Sequence, residues 1–74
     1  ILLNNKNAIM DEIEILKSSK FIGHKLQTID FRNSNLILIG VIEMTNNKTF
    51  NFNPKKDQYI INKNDILVVI GYQE

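Results

Sequence analysis

Four segments of the chain either alternate apolar and polar residues or run almost unbroken in apolar ones, and these segments predict β-strands. In residues 8–16 isoleucines alternate with glutamates, which is typical of a strand with one buried face. The runs 36–44 and 65–72 are nearly all apolar, which indicates strands buried on both faces. Residues 49–53 alternate strictly, and Pro54 ends this strand because proline cannot donate to a neighbouring strand.

A single short helix is predicted between the first two strands. Leu26 and Ile29 have the spacing of one helical face, so we expect a helix near residues 24–30 that begins after Gly23. The order strand, helix, strand, strand, strand predicts an α+β fold with a four-stranded mixed sheet. Gly40 interrupts the second strand and indicates a bulge or the close approach of another backbone. The expected core comprises Leu26, Ile29, Ile37, Ile39, Val41, Phe52, Leu67 and Val69.

The turn before the last strand carries a conformational prediction of its own. The chain has 11 asparagines but only 3 glycines, and asparagine tolerates a positive φ better than most residues. We therefore expect Asn64 to be left-handed. We also expect the carboxylate of Asp65 to accept hydrogen bonds from amides of this turn.

Composition limits the chain to one small domain. Its 74 residues, 43% of them apolar, can form a core, but a lone core of this size is thin. Without cysteine there is no disulfide to strengthen the fold, and the apolar runs exceed what one small core covers, so we expect a homodimer. Because the chain begins with Ile1 rather than Met, we expect a piece of a longer protein. We interpret residues 1–7 as a linker and 8–74 as the domain.

Charge and motif spacing argue against catalysis and against a surface for polyanions. Nine basic and eight acidic side chains leave a net charge of +1. His24 has no patterned partner to orient it as a base. Glu12 and Glu14 are interpreted as a solvated strand face or as charges that face a partner, rather than as a cation site. We therefore expect no enzyme activity, metal or cofactor. Phe50 and Phe52, near several lysines, imitate a platform for stacking bases. Their spacing is more typical of the core face of an edge strand, so no nucleic acid is expected.

Several landmarks along the chain fall in the order and spacing of one known family. Residues 21–26 and 29–32 read FIGHKL and IDFR, residues 52–54 read FNP, and residues 63–71 read KNDILVVIG. They resemble, in turn, the opening G-K-x-L-x-x-L-D-L-R, the N-P after the third strand, and the closing x-G-D-x-L-V-V-x-G of the TrkA C-terminal domain. This domain is also the C-terminal lobe of the regulator of potassium conductance (RCK) domain. The resemblance covers about residues 8–74, and it departs from the family in having asparagine where the closing motif has glycine.

The resemblance implies a cytoplasmic regulatory domain of a membrane protein, either a potassium channel or a potassium transporter. It implies a homodimer, a nucleotide-binding lobe upstream, and a small ligand in the dimer cleft, which is cyclic di-AMP in some members. Carried over by motif, the ligand-binding residues are Arg32, Asn53 and Pro54. Their alternative roles are a surface salt bridge for Arg32 and a simple strand end for the other two.

Two alternative functions stay open. The same module could serve another type of transporter, namely a cation–proton antiporter or an organic-acid carrier. A more distant alternative is a small nucleic-acid-binding module, for which the salt dependence of oligonucleotide binding would be the test.

Overall fold

Four strands form where the hydrophobic pattern predicts them. The computed structural model of the chain describes residues 8–72, so the predicted linker, residues 1–7, lies outside the described residues. The strands are β1 (Ile9–Glu14), β2 (Leu36–Glu43), β3 (Thr49–Phe52) and β4 (Ile66–Gly71). The sequence prediction of four strands is thereby confirmed, and its limits are correct to within a few residues.

All neighbouring strands of the sheet run antiparallel, in the order β1-β4-β2-β3. The expectation of a mixed sheet is therefore wrong. The short turn 44–48 between β2 and β3 permits only an antiparallel pair. The connections 15–35 and 53–65 are long enough for either direction, so the pattern of apolar residues did not determine how β1 and β4 run.

A single turn of 3-10 helix, Leu26–Thr28, stands where a helix was expected over residues 24–30, so the helix prediction is wrong. In a helix beginning after Gly23, the amide of Gln27 would donate within that helix. It donates instead to the carbonyl of Lys56, 2.9 Å away in another loop. A second 3-10 turn, Arg32–Ser34, precedes β2.

The hydrophobic core lies on one face of the sheet, under the connections that precede β2 and β4. On this face Val41 of β2 lies opposite Leu67 of β4, and Leu38 lies opposite Val69. Ile29 is partly buried against the same cluster. The buried cluster comprises Ile15, Leu26, Phe31, Leu38, Val41, Ile61, Leu67 and Val69. The expected core residues confirmed in full are Leu26, Val41, Leu67 and Val69.

Two residues expected in the core, Phe52 and Ile37, lie on the other face of the sheet, so that part of the prediction is wrong. Phe52 is 70% exposed and Ile37 is 38% exposed. A β-bulge between Leu38 and Gly40 adds one residue, half-buried Ile39, and this puts Ile37 and Gly40 on the same face. Phe52 pairs with Gly40 across β2 and β3 and shares that face. The bulge predicted from Gly40 is confirmed.

Asparagines occupy most of the turns that require a positive φ. Asn64 has a φ of 71°, which confirms its predicted left-handed conformation. Oδ2 of Asp65 accepts a hydrogen bond from the amide of Asn62 at 2.9 Å, as predicted. The other asparagines with a positive φ are Asn35, Asn47 and Asn53.

Asn64→Val should lower the free energy of unfolding by about 1–2 kcal/mol, because a β-branched residue resists a positive φ. Asn64→Gly should be neutral or mildly stabilising. Urea unfolding followed by circular dichroism measures both, with Lys63→Val as the control at an exposed position of the same turn. An Asn64→Val protein with the parent's unfolding midpoint would contradict this account of the turn.

Candidate functional site

Arg32 lies beside a part of β2 that has a neighbouring strand on one side only. β3 pairs with β2 from Gly40 to Glu43, so residues 36–38 have β4 on one side and, within the described chain, no strand on the other. The second 3-10 turn places Arg32 at this edge, where it lines an open cavity of about 350 Å³ that we call the Arg32 depression. Its other lining residues are Leu36, Ile37, Leu38, Lys56 and Tyr72.

Two positive charges and no carboxylate line the Arg32 depression. The ammonium of Lys56 is 5.8 Å from the centroid of the Phe31 ring, a cation–π distance that favours one position of this long side chain. The carboxylate of Asp30, two residues before Arg32, accepts bonds of 3.1 and 2.6 Å from the backbone and side-chain amides of Asn33. The depression therefore suits an anion, because a guanidinium donates to phosphate or carboxylate through two parallel bonds.

The end of β3 forms a second open cavity, which we call the Asn53–Pro54 depression. The amide of Asn53 donates to the carbonyl of Ile39 at 2.8 Å, and with a φ of 48° Asn53 turns the chain away from the sheet. Pro54 is buried directly behind it. The cavity has a volume of about 330 Å³. It is lined by Asn51, Asn53, Pro54, Lys55, Gln58 and Tyr59.

The structure brings two of the three sequence-predicted site residues together. Asn53 and Pro54 share one depression, whereas Arg32 lines the other. The consecutive residues Lys55 and Lys56 belong one to each, so the two depressions are adjacent on the surface. Ligand binding by these three residues stays a prediction.

A buried polar pair beside the Asn53–Pro54 depression was missed by sequence reasoning. The hydroxyl of Tyr59 donates to Oδ2 of Asp65 at 2.7 Å, and Asp65 is fully buried. Burial and this bond to the carboxylate raise the pKa of Tyr59 above its usual value. The bond fixes the ring that forms one wall of the depression. The only sequence signal that this loop is anchored in the core is a run of three hydrophobic residues, 59–61, within an otherwise polar connection.

The chemistry of the two depressions is that of binding. Amide, ammonium, guanidinium and phenol groups line them, which can hold a planar polar group and an anion. Among residues 8–72 no three His, Cys, Asp or Glu side chains are grouped as metal ligands. His24 is exposed, as expected of a solvated histidine.

One known protein family matches nearly the whole chain. The family model of the TrkA-C domain covers residues 10–74, and the chain belongs to this family, whose members are regulatory domains of potassium transport systems. The resemblance described from the sequence motifs is thereby confirmed. Domains of the family are cytoplasmic parts of transport systems. No curated protein matches the chain. None of the helical turns within residues 8–72 is long and apolar enough to cross a membrane.

Proposed function

We propose that this domain senses a small ligand on the cytoplasmic side of a potassium channel or potassium transporter and passes the ligand state to the gate. The observation that carries the proposal is the match to the TrkA-C domain over residues 10–74, since these domains regulate potassium transport. The two adjacent depressions support the sensing part, because each is large enough to hold one portion of a nucleotide-sized ligand.

The proposed mechanism is a shift between two arrangements of a homodimer. A ligand at the dimer seam contacts Arg32 and the Asn53–Pro54 corner, and it favours the arrangement in which these groups close on it. The residues 1–7, proposed as the linker, pass this preference to an upstream nucleotide-binding lobe and from there to the pore. The ligand can shift the gate only by the difference between its affinities for the two arrangements.

The lining residues favour a nucleotide as the ligand. Arg32 and Lys56 offer donors and positive charge to a phosphate. Asn51 and Gln58 carry amides that donate and accept, as the edge of a nucleobase requires. Cyclic di-AMP combines both kinds of group and is the first compound to test, followed by other nucleotides and divalent cations.

Cyclic di-AMP should raise the melting temperature of the domain, because a ligand that binds only the folded state stabilises it by mass action. At a ligand concentration 100 times Kd the gain is about 2.7 kcal/mol. Arg32→Ala should remove this gain and leave the unliganded melt nearly unchanged, since Arg32 is exposed. Differential scanning fluorimetry measures both, with Lys25→Ala as a control at another exposed cation.

Two results would contradict parts of the proposal. If Arg32→Ala unfolds the domain, Arg32 is structural and the site is assigned wrongly. If no compound shifts the melt of the parent protein, the domain is a dimerisation and coupling element, and sensing belongs to the upstream lobe.

A further inference from the structure

One face of the sheet is mostly apolar and lies on the side away from the buried core cluster. The antiparallel register puts Ile70 beside Met10 and Ile37, and Ile66 beside Ile42, all pointing away from the core. None of these residues belongs to the buried core cluster. We call this surface the open face. It comprises Met10, Ile37, Ile42, Phe50, Phe52, Ile66, Val68 and Ile70.

The open face is unusual for a sheet with one solvated side. An antiparallel sheet of that kind alternates apolar and polar residues, whereas β2 and β4 are apolar on both faces. Their nearly unbroken runs fit strands that are covered on both sides. Within residues 8–72 the core lies on one side only, so the sequence fits a second layer that these residues do not supply.

The exposed apolar side chains of the open face lie at its two edges. On β3, Phe50 is 49% and Phe52 70% exposed, and on β1, Met10 is 60% exposed, whereas Val68 and Ile70 of the inner strand β4 are buried. A packing that brings β3 of one copy against β1 of the other therefore joins these side chains twice, once at each edge, as a symmetric interface requires.

Charge at the rim selects one orientation of two such copies. Glu12 and Glu14 of β1 point to the open face at the edge opposite β3. If β1 lay over the partner's β1, four carboxylates would meet in an apolar setting, which is unfavourable. If β1 lies over the partner's β3, the carboxylates face the aromatic edge and stay at the rim.

We propose that the open face is the seam of the homodimer, with two copies packed face to face about an axis parallel to the strands and each β1 over the partner's β3. The inference rests on the homodimer of the proposed function, and it assigns the dimer contact to one surface of the domain. Ile37 belongs both to the open face and to the Arg32 depression, so the seam runs up to the proposed ligand site.

The size of the open face sets the expected affinity. The open face is four strands wide, at about 4.8 Å per strand, and about five residues long, at about 3.4 Å per residue. Its area is therefore on the order of 350 Å² per copy. This is below the standard size of about 800 Å² per partner, which indicates a weak interface. We expect a dimer that dissociates in the micromolar range.

Phe52→Glu should weaken the dimer by more than about tenfold, because it removes an aromatic ring from the contact and places a carboxylate opposite Glu12 of the partner subunit. It should leave the monomer folded, because Phe52 is 70% exposed. Ile9→Glu is the matched control: Ile9 is 67% exposed on β1, but it points to the other face. Sedimentation equilibrium from 1 to 100 µM, roughly the range in which such weak interfaces dissociate, gives the dissociation constant of each variant.

The outcomes separate this inference from the proposed function. If the parent protein dimerises and Phe52→Glu dimerises equally well, the seam lies elsewhere, but the homodimer stands. If the parent is a monomer at every concentration, both the homodimer and the seam are refuted, and the open face serves a different chain. If Ile9→Glu dissociates the dimer as much as Phe52→Glu does, the contact is not specific to the open face and the assignment is refuted.

Cysteine cross-linking tests the orientation, because the chain has no cysteine of its own. Glu12 and Phe52 lie in one row across the open face, so the proposed packing puts Glu12 of one copy near Phe52 of the partner subunit. A mixture of Glu12→Cys and Phe52→Cys proteins should cross-link with a short bis-maleimide, whereas Glu12→Cys alone should not. Efficient cross-linking of Glu12→Cys with itself would overturn the orientation.

Discussion

Asp65→Ala is expected to lower the free energy of unfolding by about 2–4 kcal/mol, since it removes two hydrogen bonds to a charged acceptor. Asp65 is fully buried, and its Oδ2 accepts from the hydroxyl of Tyr59 at 2.7 Å and from the amide of Asn62 at 2.9 Å. Both donors would lose their partner, and the turn that introduces β4 would lose its anchor. Chemical unfolding followed by circular dichroism measures the loss.

Two variants show whether the loss comes from these bonds. Asp65→Asn keeps the shape and one acceptor oxygen, so it should retain a larger part of the stability than alanine does. Asp57→Ala removes an exposed carboxylate from the preceding loop and should change little. An Asp65→Ala protein as stable as the Asp57→Ala protein would mean that the buried pair contributes nothing to the fold.

The hydrogen bond between Tyr59 and Asp65 should make the domain less stable at alkaline pH. Because burial and the Asp65 bond raise the pKa of Tyr59, the folded state holds the phenol proton more tightly than the unfolded state does. The stabilisation is complete below the ordinary tyrosine pKa of 10.0 and declines as the pH rises above it. Tyr59→Phe should therefore flatten the pH dependence of unfolding above the ordinary tyrosine pKa of 10.0.

Gly40→Ala is expected to destabilise the domain by about 1–3 kcal/mol, because the new methyl group has no room. A Cβ at Gly40 would lie 2.6 Å from Cζ of Phe50 and 2.7 Å from the backbone oxygen of Asn51. The ring can move, but the carbonyl belongs to the paired strand β3. Thermal unfolding measures the effect.

Gly71→Ala is the matched control for the change at Gly40. Its Cβ would meet Leu36 at 3.6 Å and the oxygen of Ile9 at 3.8 Å, which are ordinary contacts. This substitution should be close to neutral. Adding Phe50→Ala to Gly40→Ala should restore only part of the loss, since the contact with the Asn51 carbonyl remains. Complete recovery would show that the ring alone required the glycine.

Strand positions could be predicted from the sequence, but the side of the sheet that each residue faces could not. The spacing of Phe50 and Phe52 shows that they share a face of the sheet, but it does not show whether that face is the core side or the opposite side. The bulge at Gly40 then inverts the facing of Ile37 relative to a regular strand. A run such as residues 36–44, apolar at every position, carries no alternation from which the error could be detected.

The candidate site was predictable where a motif marks it and hidden where the loops assemble it. Arg32, Asn53 and Pro54 fall in short family motifs, and the structure places them at two adjacent depressions. Lys56 and Tyr59 reach the same surface because the connection before β4 folds back on the one before β2. Backbone bonds between distant residues fix that contact, and no local pattern encodes it.

The strand order has a consequence for how the domain comes to be folded in the cell. β4 is the last of the four described strands to be synthesised, yet it lies between β1 and β2 in the sheet. Until residues 66–71 have left the ribosome, β1 has no sheet neighbour and only the hairpin of β2 and β3 can form. Sheets that depend on such distant pairings fold slowly. A nascent chain stalled before residue 66 would expose Val41 and Leu38 and be a target for chaperones or proteases.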